Sequence, residues 1–298
     1  MDGMRALLEG VVDYAGLFPP AGLGMPEAVR NYAEYRRGAA RWMLGRFIVP
    51  VRRLDELAEA AEPHLPRRPL DDAWPLSALA GDDFAADVRT IGEFNCRHAA
   101  ADAPAIVVDA VELRASNIGQ IDVAARAMPE WLTGFVEVPL EPDPAPLIDA
   151  IGRAGLRAKA RTGGVTPEAI PDSALLARFL AECVRRRVPF KATAGLHHPV
   201  RAEHPLTYDA GAPRAVMHGY LNVFVAAALL EAGGSEGDAQ RVLDETDPAA
   251  FRFDGPSVSW RAHRFEVSRI ASSRQLARSF GSCSFTEPVE DLAALTSG

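Results

Sequence analysis

Apolar positions fall into short runs rich in β-forming residues, and between the runs they recur at spacings of three and four. The runs are VVDYAGLF (11–18), WMLGRFIVPV (42–51), WPLSALAG (74–81), AIVVDAVELR (105–114), LTGFVEVPL (132–140), LRAKARTG (156–163) and VPFKATAG (188–195). Between them lie amphipathic stretches such as PEAVRNYAEYRRG (26–38), VRRLDELAEAAEPHL (51–65), PAPLIDAIGRAG (144–155) and PDSALLARFLAECVRRR (171–187). Pro or Asp stands at several helix starts and Gly at several ends, as caps require. Strands at this interval, each followed by a helix, call for right-handed βαβ units around a buried parallel sheet. Seven such units before residue 200 predict an α/β fold of the (β/α)8 TIM barrel type. No G-x-G-x-x-G turn follows the first strand, which argues against a dinucleotide-binding open sheet.

The last hundred residues are less regular. MHGYLNVFVAAALLEAGG (217–234) reads as a buried helix and SEGDAQRVLDET (235–246) as a second, starting at Ser235. FRFDG (251–255) is a candidate eighth strand, paired in a small hairpin with SVSWRAHRF (257–265). A helix near 266–279 follows, then SFGSCSFTEP (279–288), which is either the true eighth strand or a lid over the barrel mouth. The expectation is one barrel domain over 1–298, with 199–298 holding the last β/α unit and a C-terminal elaboration of helices and a small hairpin.

The length of 298 residues fits one such barrel, and 48% hydrophobic with 24% charged residues is globular composition. The 32 basic residues face 40 acidic ones, for a formal charge of −8, and no basic tract occurs. That balance argues against nucleic acid and anionic membranes as partners. The longest apolar stretch, around Val223 to Leu230, is too short to span a bilayer, and Glu9 and Asp13 interrupt any signal-like core. Cys96, Cys183 and Cys283 are too widely spaced for a disulfide framework or a zinc pattern. The expectation is a cytoplasmic protein with reduced thiols, compatible with a homo-oligomer and acting on a small molecule without a cofactor.

Thirty of the basic residues are Arg and only two, Lys159 and Lys191, are Lys. A composition rich in Ala, Arg, Gly and Pro replaces tolerant surface lysines with arginine, so the two survivors mark positions where Arg does not serve. Only Lys offers an amine that can lose its proton and attack a carbonyl. Barrel active sites lie at the C-terminal strand ends. There the pattern places Asp13 and Tyr14, Glu112 and Arg114, Glu137, Lys159 and Arg161, and Lys191 and Thr193. Two ammonium groups close together in a dry site repel, so one is expected to deprotonate near neutral pH. Asp13, Glu112 and Glu137 are the candidate proton carriers. Arg161 with Thr162 and Gly163, and Thr193, Tyr14 and Arg114, are candidate substrate contacts. Arg161 suits a carboxylate or phosphate, or equally a salt bridge at the barrel rim.

The chain resembles the class I, Schiff-base aldolases of the deoxyribose-phosphate aldolase type over roughly its first 200 residues. VDYAGLFPP is similar to that family's opening strand, and GFVEVPL with LIDAIGRAG to its Glu-bearing fifth strand and the following helix. AKARTGG resembles the strand whose lysine forms the imine, which implies Lys159 as nucleophile. FKATAGL resembles the strand whose lysine tunes its partner, which implies Lys191. The two stand 32 residues apart, close to the family's own separation. After Lys191, however, AGLHHPVR stands where the family holds a phosphate, and only FGSCS (280–284) offers a counterpart to its strand-eight phosphate loop. Its strand-four relay aspartate is replaced by Glu112 or displaced to Asp109. The resemblance therefore implies a carbon–carbon aldolase or lyase acting on a carbonyl compound that is not a standard phosphorylated sugar.

Two other classes compete. His197, His198, His204 and His218 fall within 22 residues, and this His197–His218 cluster would serve a metal-dependent hydrolase or isomerase. No H-x-H or H-E-x-x-H spacing supports it, and the expectation is no metal, with His197 and His198 as substrate contacts or acid/base. A non-catalytic barrel that binds a small ligand is the third class. Cys283 reads as a small packed residue, and Tyr220 and Asn222 as part of a helix packing face.

Overall fold

The computed structural model describes residues 2–66, 73–99 and 105–296. The first seven barrel strands are β1 (Val12–Tyr14), β2 (Leu44–Pro50), β3 (Trp74–Leu79), β4 (Ile106–Arg114), β5 (Thr133–Glu137), β6 (Arg157–Arg161) and β7 (Phe190–Thr193). Outside the barrel, β8 (Ala202–Pro205) and β9 (Arg214–Met217) form an antiparallel hairpin. Strands β10 (Phe251–Asp254), β11 (Ser257–Trp260) and β12 (His263–Glu266) form a small antiparallel sheet. The eighth barrel strand is β13 (Ala277–Ser282), and the closed order is β1-β13-β7-β6-β5-β4-β3-β2, every pair parallel. The fold is the predicted α/β TIM barrel with extra C-terminal elements.

One expected element is corrected. FRFDG is not the eighth strand: it makes the expected hairpin with SVSWRAHRF, which turns again at Arg261 into a third strand. The eighth strand comes from the segment whose role had been open between strand and lid. ARSFGS alternates small inward residues with outward Phe280, which packs on Tyr220 and Phe224. Gly and Ser lower β propensity, and burial between β1 and β7 overrides it.

The outer layer is α1 (Gly3–Leu8), α2 (Met25–Arg37), α3 (Leu54–Ala61), α4 (Phe84–His98), α5 (Ile118–Ala127), α6 (Ala145–Arg153) and α7 (Ser173–Arg185). It continues with α8 (Tyr220–Glu231), α9 (Glu236–Leu243), α10 (Val267–Leu276) and α11 (Thr286–Thr296). Local signals set the starts: Asp83 and Asn117 accept from the backbone of α4 and α5, and Ser235 with Asp238 closes a capping box on α9. Helix α8 is buried from Tyr220 to Leu230 because α7, α9, α10 and β13 surround it. Asn222 satisfies itself there, donating to the Val242 and Glu245 carbonyls and accepting from the Arg201 N–H. No helix among the described residues is long and apolar enough to cross a membrane.

Strand alternation decides what faces the barrel interior. On β1, Tyr14 points outward into a cluster with Tyr32, Tyr35 and Phe47, with ring centroids 5.4 to 6.2 Å apart. Each such pair contributes about 0.5–1.5 kcal/mol beyond simple burial. Its neighbour Asp13 therefore points inward. The same rule sends Arg157, Lys159 and Arg161 of β6 inward, with Lys191 and Thr193 beside the last two in register on β7. Phe135 fills the middle of the barrel, with Lys191 Nζ 5.4 Å and the Arg157 guanidinium 5.5 Å from its ring centroid.

Candidate active site

Five ionisable side chains from five strands make one connected network in the upper half of the barrel. Lys191 Nζ donates to Asp13 Oδ2 at 2.6 Å and to Glu112 Oε1 at 2.7 Å. Lys159 Nζ lies 2.7 Å from Glu112 Oε2 and 2.8 Å from Glu137 Oε2. Glu112 thus stands between the two ammonium groups, one oxygen for each. Ser279 Oγ and the Arg46 N–H complete Asp13 at 2.7 and 2.9 Å, and Ser77 Oγ donates to Glu112 at 2.8 Å. Arg161 Nε and Arg114 Nε approach Glu137 Oε1 at 3.1 and 3.4 Å.

This arrangement answers the ammonium repulsion differently from the expectation. Burial alone would push Lys191 down, but Asp13 and Glu112 outweigh it and hold the amine above the ordinary lysine range. Burial alone would raise Glu112, and the two lysines overcome that and hold it well below the usual carboxylate range. Glu137 is likewise lowered against burial by Lys159, Arg161 and Arg114. Lys191 is thus a fixed buried cation rather than an amine poised to deprotonate.

Above the network opens a cavity of about 500 Å3. Lys159, Glu112 and Glu137 form its floor, Arg114 and Arg161 one side, and His197, His198 and Thr193 another, with Gly163 at the edge. Phe18, Ile48 and Leu79 give an apolar wall. Asp13 and Lys191 lie beneath the floor and do not line the cavity. Two predicted contacts do not reach it. Tyr14 faces outward by strand alternation, and Thr162 turns away to donate to the Thr193 and Ala194 carbonyls. Asp109 sits lower in the barrel, paired with Arg46 at 2.7 Å, so Glu112 occupies the strand-four position in the network.

The histidines separate. His197 Nδ1 lies 3.2 Å from both Glu287 Oε2 and Ser282 Oγ, and His198 Nδ1 lies 2.6 Å from Asp291 Oδ2. His204 stacks on His198 with centroids 3.4 Å apart, and burial together with His198 lowers its pKa to about 4. His218 is buried away from the cavity between the Pro171 carbonyl and Arg201. Among the described residues no group of three His, Cys, Asp or Glu side chains is disposed to hold a metal ion. Cys283 is buried, and burial raises its thiol.

Several members escaped sequence reasoning. Tyr208, at the tip of the β8–β9 hairpin, covers the cavity and donates to Glu287 Oε2 at 3.1 Å. Glu287 opens α11, and nothing in the local pattern links it to a histidine 90 positions earlier. Ser77 and Ser279 carried a weak signal, as small polar residues inside apolar strands. No protein-family model matches the chain, and no curated protein matches it.

Proposed function

We propose that the protein is a Schiff-base lyase that cleaves or forms a carbon–carbon bond next to a carbonyl, with Lys159 as the nucleophile. The observation that carries this reading is the unequal placing of the two lysines. They are register partners on neighbouring strands, yet Lys191 is sealed beneath the floor on two carboxylates while Lys159 reaches the cavity. Both carboxylates of Lys159 are shared with a second cation, Glu112 with Lys191 and Glu137 with the arginines.

In the cleavage direction Lys159 passes a proton to Glu137 and its neutral amine adds to the substrate carbonyl carbon. The carbinolamine hydroxyl takes a proton back and leaves as water, giving the protonated imine. A base removes the proton from the hydroxyl two carbons away, the carbon–carbon bond breaks, and its electron pair enters the imine to form an enamine. His197, oriented by Glu287 on the cavity wall, is the candidate base. Protonation of the enamine carbon and hydrolysis of the imine free the second product and restore the lysine. Lys191 keeps a positive charge under the floor throughout.

The test is intact-protein mass spectrometry after borohydride reduction with acetaldehyde, acetone or pyruvate. A covalent adduct in the wild type that is lost in Lys159→Arg but retains its site in a folded Lys191→Arg protein is the expected result. Absence of any adduct, or labelling that persists in Lys159→Arg, refutes the reading.

A further inference from the structure

Arg114 and Arg161 come from the ends of β4 and β6 and meet on one carboxylate oxygen of Glu137. Each engages it through Nε, and among the described residues neither guanidinium donates a hydrogen bond to protein through its Nη groups. Both line the cavity, with 73% and 42% of their side chains exposed, so these donors are open to a ligand. The other oxygen of Glu137 holds Lys159 at 2.8 Å. The free forks therefore stand one carboxylate's width from the nucleophile.

The charge balance points the same way. Lys159, Lys191, Arg114 and Arg161 face Asp13, Glu112 and Glu137, so the connected network carries one more cation than anion. A planar fork with two adjacent N–H donors matches a carboxylate in a bidentate pair. A phosphate would instead call for a cradle of backbone N–H groups at a glycine turn. The two glycine turns at this rim are closed against each other. A Cβ on Gly163 would stand 2.8 Å from Gly195 Cα, and one on Gly195 would stand 2.9 Å from Gly163 Cα.

We infer that the ligand of this site is a small 2-oxo acid, its carbonyl at Lys159 and its adjacent carboxylate on the Nη groups of Arg114 and Arg161. The inference rests on the Schiff-base reading and adds to it the class of substrate. The apolar wall of Phe18, Ile48 and Leu79 receives the remaining carbon chain.

The experiment compares pyruvate with pyruvamide, which keeps the activated ketone and loses the charge. Adduct formation under borohydride is titrated for both in the wild type and in the double variant Arg114→Gln, Arg161→Gln. Charge-assisted bonds of this kind predict half-saturation by pyruvate at a concentration roughly tenfold or more below that of pyruvamide. In the double variant the ratio falls to about one, and because it is a ratio within one protein, a general loss of reactivity does not imitate it. A ratio near one in the wild type, or an unchanged ratio in the variant, overturns the oxo-acid inference while leaving the imine intact. Failure of both compounds to label while acetaldehyde or acetone still labels overturns this inference alone; failure of all four removes the Schiff-base reading with it.

Discussion

Replacing Lys191 by Met tests whether the network is held together by its buried cation. The side chain is fully buried, and Met is an unbranched chain only one atom shorter, so little cavity is created. What is lost is the ammonium between Asp13 and Glu112, each only 1% exposed. Breaking a buried pair from one side costs about 3–5 kcal/mol, because a charge is left without its partner. Here neither carboxylate is stripped bare. Asp13 keeps Ser279 and the Arg46 N–H, and Glu112 keeps Lys159 and Ser77. The expected loss is therefore at the low end, about 3 kcal/mol near neutral pH, a sizeable part of a typical 5–15 kcal/mol total. Urea unfolding followed by circular dichroism and tryptophan fluorescence measures it. Two further features identify the cause. The deficit shrinks toward about pH 5, because one of the crowded carboxylates can then take up a proton. Adding Asp13→Asn to Lys191→Met costs less than the two single losses together, with a coupling of about 1–3 kcal/mol. A loss below about 1 kcal/mol, a loss that does not vary with pH, or strict additivity would refute the reasoning.

Two other outcomes follow from the same geometry. Glu112 titrates below its unfolded range, so its contribution to stability is complete above about pH 4.3 and is lost as the pH falls below that value. Lys191 titrates above its unfolded range, so its contribution is complete below about pH 10.4 and is lost at higher pH. A stability profile by urea midpoint should fall at both ends, and Glu112→Gln should flatten the acid limb; an unchanged acid limb in that variant would count against the assignment. Gly163→Ala forces a methyl to 2.8 Å from Gly195 Cα and must part the two rim loops. It should raise the carbonyl concentration needed for half-maximal adduct formation about tenfold, with a melting temperature only a few degrees lower; unchanged labelling would show that the loops adapt freely.

The seven early strands were legible because apolar β-rich runs and three-four spacing alternate without interruption up to residue 195. The eighth was not, because ARSFGS owes its strand state to the two neighbours that bury it rather than to its own residues. The central quintet of Asp13, Glu112, Glu137, Lys159 and Lys191 was legible from strand ends and from the scarcity of lysine. Which side chains face inward is a matter of parity, and parity decides against Tyr14 and Thr162 once Asp13 and Arg161 are seen to point in. Tyr208 and Glu287 were invisible, since a hairpin tip and a helix start meet there only through the closed barrel. The place of Glu112 between two ammonium groups depends on cross-strand register that composition does not reveal.

The barrel closes where β1 meets β13, and Asp13 is completed by the hydroxyl of Ser279, 266 positions later. The floor of the site therefore cannot assemble on a nascent chain until its last strand has left the ribosome. Until then Lys191 and its carboxylates are open to water on one flank, and the ammonium lacks the full burial it has in the closed barrel. The buried set of Asp13, Glu112 and Lys191 thus arrives with the final seam and not before, so a fragment stalled short of residue 277 would carry both lysines without the closed floor that separates them.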